Sequence, residues 1–145
     1  MKKMKIALGA DHGGYELKEK LKAFLKKKSI EFKDFGTNDG TTSVDYPDFA
    51  KAVAKAVASK KYNFGVLVCG SGVGVAMAAN KVKGIRAVQA YDAYTAEMSR
   101  RHNDANVITF AGRRIRPGIA KHLLNIWLKT DFEGGRHRRR VQKIK

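Results

Sequence analysis

Residues Phe64–Lys81, FGVLVCGSGVGVAMAANK, change period midway. Phe64 to Cys69 is an unbroken apolar run with the length of a strand buried on both faces. From Val73 onward, small residues dominate and the pattern reads as a short helix. Between them Gly70, Gly72 and Gly74 alternate with Ser71 and Val73, marking a sharp passage from strand into helix. A strand without polar alternation belongs in a sheet covered on both sides, so this stretch argues for an α/β protein with parallel strands.

The same unit recurs in both directions. Upstream, KIALGA (Lys5–Ala10) is a first strand, and Leu17, Leu21, Phe24 and Leu25 follow at helical spacing with lysines between them. IEFKDFG is a second strand. After the loop TNDGTTSVDYP, Phe49, Val53 and Val57 mark a helix with Pro47 in its first turn. Downstream, IRAVQAY is strand four, YTAEMSRRH helix four and ANVITFAG strand five. A last helix runs from about Pro117 to Leu128 with Ile119, Leu123, Leu124 and Trp127 on one face. With no hairpin signal between the units, the prediction is a three-layer α/β/α sandwich on a five-stranded parallel sheet, Rossmann-like and doubly wound. The chain reads as one domain, 1–145, with a basic C-terminal tail from about residue 133.

Thirty basic against 13 acidic residues give a formal charge of +17, which attracts polyanions without specifying which. One cysteine excludes an internal disulfide, and four scattered histidines lack zinc-finger spacing, so no structural metal is expected. No apolar run approaches the roughly 20 residues of a membrane span. The short MKKMKIALGA is read as the first strand of a cytoplasmic protein rather than as a leader.

Ligands of open parallel sheets bind beyond the carboxyl ends of the strands. Strand one ends at ADHGG with Asp11 and His12, strand three at CGSGVG with Cys69 and Ser71, and strand five at AGRR with Arg113 and Arg114. The glycine turn lets successive N–H groups converge at the start of a helix, an anion site for a phosphate or a developing oxyanion. Its spacing is not G-x-G-x-x-G and it follows the third strand, both of which weigh against a dinucleotide. The same dipoles favour a thiolate at Cys69; the plainer reading is a small core residue closing a strand.

His12 and His102 each stand beside a polar neighbour, Asp11 and Asn103, in a predicted loop, and each also suits an ordinary satisfied histidine. His102 and Asn103 precede strand five, which puts them at the edge opposite Cys69 unless helix four is short or the site reaches another subunit. His122 falls within a helix. Asp45, Tyr46 and Pro47 read as a turn and helix start, with Tyr46 a lesser candidate for a pocket wall. The arginines of GGRHRRR suit bidentate phosphate contacts or a solvated tail equally.

Five motifs in order, ADHGGYELK, GT…SVDYPDFA, VCGSGVGVAMAANKVKGIRA, SRRHNDANV and EGGRHRRRV, resemble the type B ribose-5-phosphate isomerases. Galactose-6-phosphate and allose-6-phosphate isomerases are close relatives of that family, and the likeness covers almost the whole chain. The resemblance implies an aldose–ketose isomerase without cofactor or metal, interconverting D-ribose 5-phosphate and D-ribulose 5-phosphate in the pentose phosphate pathway. It implies Cys69 as the base that moves a proton between C2 and C1 through an enediolate. By the same resemblance the N–H groups of Gly70, Ser71, Gly72, Val73 and Gly74 would hold the enediolate oxygens. His102, helped by Asp11 and Ser71, would open the sugar ring, and Asn103 would hydrogen-bond a sugar oxygen. His12, Arg113, Arg136 and Arg140 would hold the phosphate. Many relatives carry threonine where Ser71 stands, and the hydroxyl is kept. Some use a glutamate a few residues after the cysteine position; Val73, Gly74 and Val75 supply no acid here, which leaves Cys69. The family's dimers or tetramers, with active sites at a subunit interface, would remove the difficulty over His102.

Three rival readings remain at this level. The first is an isomerase of a six-carbon sugar phosphate, because no code in TNDGTTSVDYP reports sugar length. The second is a basic RNA-binding module, for which no stacking-platform motif is found. The third is a flavodoxin-like protein that binds a nucleotide or flavin. No specific nucleic acid and no membrane are expected as partners.

Overall fold

Side chains of successive strand residues point to opposite faces, and in this protein the two faces have separate cores. Ile6, Leu8 and Ala10 of β1 (Lys5–Ala10), Val66 and Val68 of β3 (Phe64–Cys69), and Ile108 and Phe110 of β5 (Val107–Ala111) point to one side. Ala7, Leu67, Cys69 and Val107 point to the other. The first core is closed by α1 (Tyr15–Lys27), α4 (Ala93–Arg101) and α5 (Pro117–Lys129); the second by α2 (Tyr46–Ala58) and α3 (Val73–Asn80). The computed structural model describes residues 3–145. With β2 (Glu31–Asp34) and β4 (Ala87–Gln89), the sheet has five parallel strands in the order β2-β1-β3-β5-β4. The three-layer α/β/α arrangement expected from the period changes is therefore present.

That order places a topological switch point between β1 and β3, since β1 leads outward to β2 and β3 begins the other half. Crevices at such points are where open α/β sheets bind ligands. Asp11 and Cys69 stand at the carboxyl ends of those two strands.

Three expectations are corrected. Strand four has only three residues, because it is an edge strand with a single partner, β5. Ile119 is not on the inward face of α5 and is 46 % exposed. The buried stripe is centred on Ala120, Leu124 and Trp127, and Ile119 lies about 100° round the helix from it. The basic segment after residue 133 is ordered in part as a sixth helix, α6 (Arg136–Gln142), anchored by His137, which is only 6 % exposed. No described helix is long and apolar enough to cross a membrane.

Candidate active site

At the switch point, β3 turns into α3 through Gly70, Ser71 and Gly72. Gly72 is the N-cap of α3 with φ +75°, a left-handed conformation, and a Cβ there would lie 2.8 Å from the carbonyl carbon of Phe110. Only glycine fits both conditions. Its carbonyl accepts a 2.7 Å hydrogen bond from the buried Thr109 hydroxyl, which pins the turn to β5. Its N–H donates to Sγ of Cys69 at 3.2 Å. Cys69 is the one cysteine, buried and unpaired. An amide proton of the turn thus points at the sulfur. Ser71 Oγ accepts from the Val73 N–H at 3.3 Å, and the Ser71 carbonyl accepts from Gln89 Nε2 at 2.6 Å, which ties the turn to the end of β4.

The β1 end meets this turn. Asp11 is buried, its N–H donating to the Val68 carbonyl at 3.3 Å and its Oδ1 accepting from the Gly14 N–H at 3.1 Å. Gly14 packs so closely on the Val68 carbonyl that no Cβ could be placed there. The Arg113 side chain, entering from the end of β5, lies over Gly13 and Gly70, 3.2 to 3.5 Å from where their Cβ atoms would stand. His12 Nδ1 accepts from the Val44 N–H at 3.2 Å, so in the neutral ring the proton sits on Nε2, which becomes a donor. The Tyr46 ring packs against Gly74. Cys69, Asp11, His12, Ser71, Val73, Gly74 and Arg113 are thus brought to one end of the sheet.

His102, Asn103, Arg136 and Arg140 are not. His102 caps the C-terminus of α4, which runs back toward the starting edge of β5. The five residues of β5, at about 3.3 Å each, put roughly 17 Å of sheet between the two ends. The Arg86 guanidinium, just before β4, donates to the carbonyls of Asn103 and Asp104 at 2.9 to 3.0 Å. Arg100 pairs with Asp104 at 2.8 Å and donates to the Ala105 and Thr130 carbonyls. These contacts hold the turn that presents His102. The His102 ring stacks on His137, centroids 4.2 Å apart and planes 11° from parallel. Burial first, then the adjacent His102 and Arg136, hold the His137 imidazole below its ordinary value of 6.5. Arg136 and Arg140 lie one turn apart on the same side of α6 and are exposed.

Two members of this second cluster, Glu133 and His137, escape the sequence reading. They flank a glycine pair at i,i+4, a spacing that carries meaning only once α6 is known to begin there. Tyr46 is visible in the sequence as a helix start, but its contact with Gly74 is tertiary. A groove of about 1160 Å³ runs along Asn80–Val88 and the C-terminal Gln142, Ile144 and Lys145, and it meets the second cluster only at Asn103.

The profile of the family described as Ribose/Galactose Isomerase matches residues 6–144. The chain is 48 % identical over 138 residues to a ribose-5-P isomerase B of Listeria innocua, covering 95 % of this chain and 93 % of that one. It is 45 % identical over 140 residues to ribose-5-phosphate isomerase B of Escherichia coli, covering 97 % and 93 %. Among solved structures it resembles ribose-5-phosphate isomerase B of Clostridium thermocellum, with a TM-score of 0.95, 50 % identity and coverage of 97 % and 95 %.

Proposed function

The chain belongs to the ribose/galactose isomerase family, and from that premise we propose how it interconverts D-ribose 5-phosphate and D-ribulose 5-phosphate. The substrate phosphate is held by His12 and Arg113 on one side and by Arg136 and Arg140 on the other. His102 opens the furanose by moving the proton of the C1 hydroxyl to the ring oxygen, with Asp11 and Ser71 assisting. The Cys69 thiolate takes the proton from C2, the electron pair passes to O1, and the enediolate oxygens are received by the N–H groups from Gly70 to Gly74. The thiol returns its proton to C1 while the O2 proton moves to O1, so the reaction needs no co-reactant. Asn103 hydrogen-bonds a sugar oxygen.

The observation that carries this reading is the 3.2 Å contact from the Gly72 N–H to Sγ of Cys69 at the sheet's switch point. It puts base and oxyanion donors side by side, as proton removal next to a carbonyl requires. Cys69→Ala tests it. Ribose 5-phosphate binding, read by calorimetry, persists, while isomerisation falls about 10²- to 10⁴-fold, the usual worth of a positioned base. Undiminished turnover would remove the thiol from the mechanism.

Because His102 sits on the far edge, we infer that each site is completed by a second copy of the chain in a homodimer or a tetramer built from dimers. Val73 and Met77 on one face of α3, Tyr91 and Tyr94 at the start of α4, and Tyr46 beside Gly74 are all exposed. An apolar patch of this kind around a polar half-site suits burial against a partner. The cytoplasm, where a lone thiol stays reduced, suits this chemistry. The family takes sugars of more than one length, so the closing assay offers ribose 5-phosphate, allose 6-phosphate and galactose 6-phosphate in parallel. Faster ketose formation from either hexose phosphate would replace the five-carbon assignment.

A further inference from the structure

Glu133 reaches across the stacked pair of imidazoles. Its Oε2 is 3.9 Å from Nε2 of His102 and its Oε1 is 3.7 Å from Nε2 of His137. Both separations are too long for hydrogen bonds. Nε2 of His137 is the one buried side-chain nitrogen or oxygen without a hydrogen-bond partner among the described residues. Buried polar atoms of this kind are rare and call for a ligand or a role. One donor atom from each of the three residues lies within 4.8 Å of the others.

We infer that His102, His137 and Glu133 hold a divalent transition-metal ion of the zinc class. Two imidazoles and one carboxylate suit Zn²⁺, Ni²⁺ or Cu²⁺ better than Mg²⁺ or Ca²⁺, which prefer all-oxygen ligands. Bonds of about 2.0 Å put tetrahedral ligand atoms roughly 3.3 Å apart, so the set contracts by ~1 Å on binding. The rings must also tilt from parallel, since each lone pair lies in its ring plane. His137 is the fixed corner, while His102 and Glu133, with side chains 37 % and 44 % exposed, are free to close on it. Water takes the fourth position. Arg101 Nη1, 3.9 Å from Glu133 Oε2, competes for the carboxylate, which keeps the ion exchangeable. If His102 opens the sugar ring, as proposed above, an ion on its Nε2 removes the proton carrier and occupancy stops turnover.

The test is a titration of full-length protein, free of any histidine tag, with CoCl₂, read by visible d–d absorption and followed by displacement with ZnCl₂. The expected result is saturable bands, with affinity weakened about 10- to 100-fold in Glu133→Gln and in His137→Asn. In parallel, Zn²⁺ inhibits the wild-type isomerase, a chelator restores it, and Glu133→Gln needs proportionately more Zn²⁺. Absence of saturable bands, or bands that survive in both variants, overturns the site. So do bands lost only in Cys69→Ala, which would put the ion on the thiol. Saturation with undiminished turnover leaves the metal site standing and sinks the role of His102 instead.

Discussion

Gly72 joins two constraints at one residue, a positive φ and a Cβ position 2.8 Å from the Phe110 carbonyl carbon. Gly72→Ala is expected to cost about 1–3 kcal/mol in chemical denaturation and to lose activity with it, because the N–H facing Sγ moves. Gly118→Ala is the control: nothing lies within 4 Å of its Cβ position. That variant should be neutral or slightly stabilised. His137 carries a pH dependence of its own. Its folded-state value lies below the ordinary 6.5, so the unfolded chain binds the proton more readily and stability falls as pH drops below 6.5. Denaturation midpoints from pH 8 down to pH 5.5 measure this slope, and His137→Gln should flatten it. Cys69, Ser71 and the glycine turn could be singled out from the sequence because strand, turn and helix are consecutive there. Glu133 and His137 could not, since their meaning depends on a ring from a different helix.

α1 is joined to β2 by a contact that amphipathic patterning hides. Lys18 reads as part of a lysine-rich polar face, yet it is fully buried. Its Nζ donates to both Asp34 oxygens at 2.6 and 2.7 Å and to the Thr37 carbonyl at 2.8 Å. Lys22 adds a second ammonium on Asp34 at 2.7 Å. Lys18→Met leaves the part-buried Asp34 carboxylate with only Lys22 and the Gly36 N–H, and the Thr37 carbonyl without its lysine donor, and should cost about 1–3 kcal/mol. Burial pushes Asp34 up, but hydrogen bonds from Lys18, Lys22 and the Gly36 N–H outweigh it and hold the carboxyl below its ordinary 3.8. The pair's contribution is therefore complete above pH 3.8 and disappears as pH falls through the depressed value. Acid unfolding of wild type against Asp34→Asn checks the sign: the variant should be less stable at neutral pH and less sensitive to acid. Element existence was legible because apolar periods of 2 and 3.6 are local. The inward register of α5, which excludes Ile119, depends on where the helix lands.

At the scale of the whole molecule, the separation of Cys69 from His102 predicts complementation. Cys69→Ala and His102→Asn enzymes, each depressed alone, should regain about a quarter of wild-type activity when mixed and allowed to exchange subunits, since one site of each heterodimer is intact. No recovery under demonstrated exchange would place both residues in one subunit's site. The +17 charge predicts a second global effect. Steering of an anionic substrate makes kcat/KM fall with ionic strength while kcat changes little. The layer architecture, the strand ends that bear Asp11, Cys69 and Arg113, and the thiol beside a run of backbone amides could be read from the chain alone, because each depends on neighbours along it. The sequence also raised the problem of His102 without resolving it. The strand order that makes a crevice between β1 and β3 emerges only in the folded chain. Folding alone buried Lys18 and set His102, Glu133 and His137 against one another. Such pairings join residues through packing, and packing has no period that a sequence displays.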